Sequence, residues 1–178
     1  MRRLMLLRHA KTEHEAPSGR DQDRRLDERG RSDAAEIGGW LARHPPFADI
    51  VLVSPAVRAR QTWEIAWEAM KDIVSPPQVE FLPALYGADP GRLLEAVHTA
   101  DEAERIMLVG HNPGMHELAL GLTGGGAAAG RQALAENLPT SGLVMFDFAV
   151  DDWTDVAFRR GRLVLFVSPK LLKQTSSD

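Results

Sequence analysis

The chain contains no cysteine and no long hydrophobic run. Without cysteine there are no disulfides, thiolate zinc sites or cysteine nucleophiles, so catalysis would depend on His, Ser, Asp, Glu or Lys. No stretch approaches the roughly 20 apolar residues of a membrane span. The opening "MRRLMLL" has neither the length nor the cleavage site of a signal peptide. We therefore expect a cytoplasmic protein with no membrane partner.

An excess of positive charge is also lacking. The 21 Lys and Arg residues face 25 Asp and Glu, which gives a net charge of −4. This balance argues against nucleic acid as a partner, because a phosphate backbone needs a basic face. The 178 residues suit one domain, 1–178, with a core that needs no disulfide or metal. We expect its tail, about 171–178, to be frayed, and nothing in the sequence specifies an oligomeric state.

Three short apolar runs, at 3–7, 49–54 and 105–110, are bounded by polar or turn residues. Continuous apolar runs of this length are typical of parallel strands that are buried on both faces. Two further runs, at 142–150 and 161–167, predict a hairpin or a pair of edge strands. The intervening segments have the spacing of helices, so the pattern alternates between strand and helix.

Capping residues and prolines mark the expected helix ends. The first helix begins after Asp27 as N-cap and ends before the prolines of "HPP". The second runs from about Pro55 to Met70 with Ser54 as its N-cap, a third covers 90–98, and a fourth follows "GHNPG". The fold class is therefore α/β, a three-layer α/β/α sandwich around a mostly parallel sheet with an antiparallel edge.

The low-complexity stretch "GGGAAAG" at 124–130 could be mistaken for a phosphate-binding loop. It lacks the Gly-Lys-Ser/Thr ending that such loops require. We interpret it as a surface loop.

Each of the three core strands is followed by groups that handle charge or protons. The first ends in Arg8 and His9, the second is followed by Arg58, and the third by His111. Ligands of open α/β sheets bind outside the carboxyl ends of the strands, so these four side chains should meet there. Guanidinium groups match phosphate oxygens. The pattern predicts a local pocket for a compact dianion.

The segments "LLRHAKT", "SPAVRARQT" and "VGHNPG" resemble the three signatures of the histidine phosphatase superfamily, the branch of the cofactor-dependent phosphoglycerate mutases. The resemblance implies a phosphoglycerate mutase-like fold, and His9 as a nucleophile that forms a phosphohistidine intermediate. Arg8, Arg58 and His111 would hold the oxygens of the transferring phosphoryl group. Neither a metal nor a cofactor is expected, because the arginines supply the charge.

Four further residues are predicted to bind substrate: Thr12, Ser54, Asn112 and Arg24. Thr12 stands at the threonine of the family's Arg-His-Gly-x-Thr signature. Glu15 stands where an asparagine is often found, and a carboxylate facing the pocket would repel phosphate. We therefore expect Glu15 to face solvent and Arg24 to supply the missing donor.

The nucleophile must present an unprotonated ring nitrogen. The other nitrogen of His9 then needs an acceptor that fixes the tautomer, and the carbonyl oxygen of Ala10 or of a nearby glycine is the candidate. Ala10 itself replaces the glycine of the signature.

A general acid is missing from the expected place. Family members that act on alkyl phosphates carry a glutamate after the second helix, where this chain has Gly87 in "LPALYGADP". Imidazole leaves a phosphohistidine without acid assistance, whereas an alkoxide needs a proton. Only 53 positions separate Arg58 from His111, too few for the lid of the mutases. The chain is thus most similar to SixA-type phosphohistidine phosphatases, whose substrate is a phosphorylated protein.

Other functions stay open at this stage. A phosphatase of small phosphate esters would use Glu13, Asp21, Asp89 or another carboxylate as its acid. A phosphate-binding module without turnover would need the arginines but not a nucleophilic histidine. The last alternative is a metal site formed by His111, His116 and Glu117. Their spacing is not that of an HExxH motif, and we expect His116 on a helix surface.

Overall fold

The computed structural model describes residues 1–176 as seven strands and six helices. In chain order these are β1 (Arg2–Arg8), α1 (Glu28–Arg43), β2 (Ile50–Val53), α2 (Val57–Glu68), β3 (Gln78–Phe81), α3 (Pro90–His98), β4 (Arg105–Gly110), α4 (Gly114–Leu122), β5 (Thr123–Gly126), α5 (Ala128–Glu136), β6 (Leu143–Phe148), β7 (Gly161–Val167) and α6 (Pro169–Ser176). Short 3-10 turns cover Asp21–Asp23, Pro83–Leu85 and Trp153–Asp155. Within 1–176, no helix combines the length and the apolar character that crossing a membrane requires.

The strands form one sheet in the order β3-β2-β4-β1-β6-β7-β5. The first four are parallel to one another, β6 is antiparallel to both β1 and β7, and β5 is parallel to β7. The predicted α/β fold with a mostly parallel sheet is confirmed, as is the antiparallel pair near the C-terminus. The three strands expected to end at the site, β2, β4 and β1, are direct neighbours.

Helices cover both faces of this sheet, and β1 shows why. Leu4 and Leu6 pack into a core with α3 and α4, whereas Met5 and Leu7 pack on the opposite face with α1 and α2. All four side chains are fully buried. A strand buried on both faces needs apolar residues at every position, which is the reason for the continuous run.

The predicted N-caps have different outcomes. The Asp27 carboxylate accepts from the backbone N–H of Gly30 at 2.7 Å and caps α1, as predicted. Ser54 does not cap α2, whose N-cap is Ala56. The helix begins later than expected, and the Ser54 hydroxyl instead contacts the Ala56 N–H at 3.3 Å and the His111 ring. That prediction was wrong because the hydroxyl serves the site and not the helix.

The loop predicted at 124–130 was also wrong. Thr123–Gly126 forms β5 against β7, and α5 begins at Ala128. A side chain at Gly124 would collide with the Arg159 carbonyl oxygen, 1.9 Å from the position of a Cβ. Glycine is therefore required here because the two backbones approach closely, and the glycine-rich sequence does not indicate a loop.

The tail that we predicted to be frayed forms the helix α6 up to Ser176. Lys173 reaches the buried Asp33 carboxylate of α1 at 3.3 Å and ties the helix to the domain. The polar sequence of the tail does not predict this contact, because Asp33 lies 140 positions away from Lys173. The last two predicted tail positions, 177 and 178, lie outside the described residues.

Candidate active site

The carboxyl ends of β1, β2 and β4 are joined by backbone hydrogen bonds. The His9 N–H donates to the Gly110 carbonyl at 3.0 Å, and the Ser54 N–H donates to the Val109 carbonyl at 3.0 Å. The rings of His9 and His111 come within 5.3 Å, centroid to centroid. Sheet register alone therefore brings the predicted histidines to one edge, where the sequence placed them.

The orientation of His9 is fixed by its own loop. Its Nδ1 lies 2.7 Å from the Ala10 carbonyl oxygen. A carbonyl can only accept, so Nδ1 carries the proton and Nε2 keeps its lone pair. The predicted acceptor is thereby confirmed. The Ala10 N–H donates to Thr62 Oγ1 at 2.9 Å, and that hydroxyl donates to the Arg58 carbonyl at 2.7 Å, so α2 anchors the loop.

Both histidines are held in the neutral form. Burial lowers the pKa of His9 to about 3, and the positive charges of Arg58 and Arg8 act in the same direction. Burial and the Arg58 charge lower the pKa of His111 to about 4. At neutral pH, His9 thus has a free lone pair without the need for a general base.

Three buried nitrogens around His9 have no hydrogen-bond partner among the described residues: Arg8 Nε, Arg58 Nε and His111 Nδ1. For His111, the Ser54 hydroxyl lies 2.7 Å from Nε2. If that hydroxyl donates, as its contact with the Ala56 N–H allows, Nδ1 carries the proton and faces the site as a donor. Unsatisfied buried donors are costly. An anion with several oxygens, such as a phosphoryl group, would satisfy all three.

Two predicted site residues share one acceptor. Arg8 Nη1 and Asn112 Nδ2 both donate to the Leu138 carbonyl, at 3.1 and 2.9 Å. The Asn112 Oδ1 accepts from the backbone N–H of His116 at 3.2 Å. Asn112 therefore joins the segment around Leu138 to the start of α4, and its role in substrate binding stays a prediction.

Arg24 lies beside Thr12, as expected of a residue at the mouth of the site. Its Nη1 donates to Thr12 Oγ1 at 2.9 Å, and its Nε donates to Asp21 Oδ1 at 3.0 Å. Its charge also contributes, after burial and the charge of Arg58, to the lowered pKa of His111. Glu15 is exposed, as expected.

Asp21 is the carboxylate at this edge, and sequence reasoning named it only as one of several possible acids. Its Oδ2 accepts from Arg58 Nη2 at 2.9 Å and from the Tyr86 hydroxyl at 2.6 Å. Its backbone carbonyl accepts from Arg58 Nη1 at 2.8 Å. The bonds from Tyr86, Arg58 and Arg24 hold the pKa of Asp21 well below its usual range. An ionised carboxylate has no proton to give to a leaving group.

Tyr86 was not foreseen. It is the only tyrosine of the chain, and its ring lies 5.6 Å from the His111 ring and 5.9 Å from the guanidinium carbon of Arg58. Being the only tyrosine was the one feature of the sequence that could have pointed to this residue.

The other two carboxylates considered from the sequence as general acids do not take that role: Glu13 is exposed, and Asp89 caps α3 by accepting from the Arg92 N–H at 2.9 Å.

The metal alternative has no structural support within 1–176. No group of three or more His, Asp or Glu side chains in this part of the chain could hold an ion. His116 contacts the Leu134 carbonyl at 2.6 Å and is half-buried, not turned towards His111 as a ligand.

A titration followed by NMR tests the protonation states. We expect the imidazole ¹⁵N and ¹³Cε1 shifts of His9 and His111 to stay constant from pH 8 to pH 5, with His9 protonated on Nδ1. The cause is burial, and histidines in the unfolded chain titrate near 6.5. Loss of one signal set in His9→Ala assigns it. A midpoint near 6.5 for His9 would contradict the buried, neutral nucleophile.

Known proteins are similar to this chain in sequence and in fold. Residues 4–106 match the model of the histidine phosphatase superfamily (branch 1). An uncharacterized protein of Mycobacterium tuberculosis is 37% identical over 168 residues, which are 92% of this chain and all of the relative.

Two solved structures share the fold. The crystal structure of a candidate phosphohistidine phosphatase SixA from Agrobacterium tumefaciens is 32% identical, with a TM-score of 0.79, over 94% of this chain and 98% of the other. A mycobacterial glucosyl-3-phosphoglycerate phosphatase shares the fold at 19% identity and a TM-score of 0.60, over 94% of this chain and all of the other. The protein belongs to the histidine phosphatase superfamily, branch 1, and its overall structure is SixA-like.

Proposed function

We propose that the protein is a phosphohistidine phosphatase, which hydrolyses the P–N bond of phosphorylated histidines on proteins through a covalent intermediate on His9. The observation that supports this most strongly is the pairing of a neutral nucleophile with an ionised carboxylate. His9 is held with Nε2 free beside three unpartnered donors. Asp21, in the same site, is held without a proton.

In the first step, His9 Nε2 attacks the phosphorus in line with the leaving nitrogen. A new P–N bond forms on His9 while the substrate P–N bond breaks, and the electron pair goes to the substrate imidazole. Arg8, Arg58 and His111 stabilise the charge on the equatorial oxygens. One P–N bond replaces another, so the step is close to isoenergetic.

In the second step, water attacks the phosphorus of phosphorylated His9. The P–N bond breaks, inorganic phosphate leaves, and His9 returns to its neutral form. The Ala10 carbonyl stays bonded to Nδ1–H throughout, so Nε2 is the atom that is phosphorylated and released.

The leaving group decides which substrates react. An imidazole whose remote nitrogen carries a proton leaves as a neutral molecule, with a conjugate acid pKa of about 6.5. An alkoxide leaving group resembles hydroxide, whose conjugate acid, water, has a pKa of about 15.7, and needs a proton in the transition state. A site that holds its carboxylate ionised therefore favours P–N bonds and activated esters.

The surroundings of the site suit a histidine presented by a protein. Beside Asp21 and Arg24 lies an open groove of about 480 Å³, which His14, Glu15 and Arg20 also line. An exposed, polar groove of this kind leaves room for the surface around a phosphorylated histidine.

A comparison of substrates tests the assignment. We expect kcat/KM on a phosphohistidine protein or phosphoramidate, and on p-nitrophenyl phosphate, to exceed that on an alkyl phosphate by at least about 10²-fold, the usual size of a missing acid-base contribution. All of these activities should disappear in His9→Ala. Comparable hydrolysis of the alkyl phosphate would instead favour the second candidate, a phosphatase of small esters. That candidate would require Asp21 to carry a proton while the substrate is bound.

Chelation tests the proposed independence from metals. We expect the rate on p-nitrophenyl phosphate to be unchanged after dialysis against EDTA, because two arginines neutralise the phosphoryl charge and His111 adds a hydrogen bond. Magnesium or zinc added back serves as the control and should not raise the rate. Loss of activity that a metal restores would contradict the mechanism.

A further inference from the structure

We propose that Asp21 is a positioning residue, which together with Tyr86 holds the Arg58 guanidinium so that its Nε–H is turned to the phosphoryl group. The proposal rests on the proposed function of the same site. It assigns Asp21 neither proton transfer nor contact with the substrate.

The pattern of bonds on Arg58 is the first argument. Both terminal nitrogens donate to the same residue, Nη1 to the Asp21 carbonyl oxygen at 2.8 Å and Nη2 to Oδ2 at 2.9 Å. The third nitrogen, Nε, is buried and has no partner among residues 1–176. A guanidinium is planar, so fixing two of its nitrogens fixes the direction of the third.

The burial of the two partners is the second argument. The Arg58 side chain is 7% exposed, whereas the Asp21 side chain is 53% exposed. An ion pair with one exposed partner adds little to stability. The contact is thus better explained by the orientation that it imposes on Arg58 than by the stability of the fold.

Tyr86 provides the third argument, because it links two segments across the mouth. Its hydroxyl donates to Asp21 Oδ2 at 2.6 Å, and its ring lies 5.9 Å from the Arg58 guanidinium carbon. Arg24 Nε holds the other carboxylate oxygen at 3.0 Å. The carboxylate is therefore fixed from both sides, by the segment after β1 and by the segment before α3.

The opposite interpretation makes a distinct prediction. If Asp21 merely occupied the phosphate site as a competing anion, its removal would free Arg58 and strengthen phosphate binding. If it positions Arg58, its removal lets the guanidinium swing and weakens both phosphate binding and turnover.

The experiment compares Asp21→Asn with wild type, using p-nitrophenyl phosphate for turnover and inorganic phosphate for binding. We expect kcat to fall by about 10- to 100-fold, as for a misplaced catalytic group, and phosphate binding to weaken. Asp23→Asn is the matched control, because Asp23 lies in the same turn and bonds Ser18 and Arg20 but not Arg58. It should stay within about 2-fold of wild type. Wild-type values for Asp21→Asn, or tighter phosphate binding, would overturn the proposal.

Two further measurements separate positioning from simple misfolding. The ¹⁵Nε–¹H signal of Arg58 should broaden or exchange faster in Asp21→Asn while the melting temperature stays unchanged; an unaltered Arg58 signal would overturn the proposal. Tyr86→Phe should lower kcat modestly in wild type and have no further effect in Asp21→Asn, since both act through one contact. Independent, additive losses would contradict this shared route. Phosphate binding and the Arg58 signal need no turnover, so they test the proposal even if the substrate assignment fails.

Discussion

The substitution His9→Ala is expected to reduce turnover of every substrate by at least about 10⁴-fold, as does the loss of a nucleophile in other covalent catalysts. No other described side chain of the site offers an unbonded imidazole lone pair beside the unpartnered nitrogens of the two arginines. His111 is neutral too, but its Nε2 contacts the Ser54 hydroxyl, and with that hydroxyl donating, Nδ1 carries the proton. Alanine leaves the phosphate donors in place, so phosphate binding should persist.

The measurement has two parts. Steady-state rates are compared for wild type, His9→Ala and His44→Ala, whose imidazole contacts Trp40 away from the site and serves as the control. Rapid quenching with labelled substrate should trap an acid-labile, base-stable phosphoenzyme in wild type and in His44→Ala but not in His9→Ala. A labelled His9→Ala protein, or substantial residual turnover, would refute the role of His9.

Replacement of Arg58 by alanine should lower kcat/KM by at least about 10²-fold, the usual effect of removing one donor that stabilises developing charge. Arg58 is buried, with 6% of the residue exposed, and its guanidinium has one unpartnered nitrogen. Its loss also leaves Asp21 without its main cationic partner. A carboxylate freed from Arg58 would repel the incoming phosphate and add to the effect.

Arg58→Lys distinguishes charge from geometry. An ammonium keeps the charge but cannot reproduce two bonds to Asp21 together with a third to the phosphoryl group, so we expect most of the loss to remain. Arg60→Ala, two residues further along α2 and exposed, is the matched control and should behave as wild type. Full rescue by lysine would mean that only the charge matters.

The main elements of the site could be predicted because they are encoded locally. β1, β2 and β4 appear as apolar runs since both faces of a parallel strand are buried, and each run is followed by a residue with chemical function. The rule that ligands bind at the carboxyl ends of parallel strands then places His9, Arg58 and His111 together. The Asp27 cap was equally local, because a cap acts within one helical turn.

What depends on contacts between distant segments could not be predicted. β3 was missed and β5 was taken for a loop, because short strands in polar or glycine-rich sequence acquire their structure from the neighbour with which they pair. Ser54 was predicted to cap a helix, but its partner His111 lies 57 positions away. The tail was predicted to be frayed from its own sequence. The residue that Lys173 contacts, Asp33, belongs to another helix, so the local sequence does not show this contact.

The sequence by itself thus determined the fold class and the four central residues, since strand periodicity and strand-end chemistry are read within a few residues. Only the tertiary structure decided the protonation of those residues, because burial lowers the pKa of His9 and no local pattern reports how deeply a polar side chain beyond the strand end is buried. It alone also decided the place of Asp21, which meets Tyr86 across 65 positions. A contact between two segments on opposite sides of the site exists only once the sheet has formed.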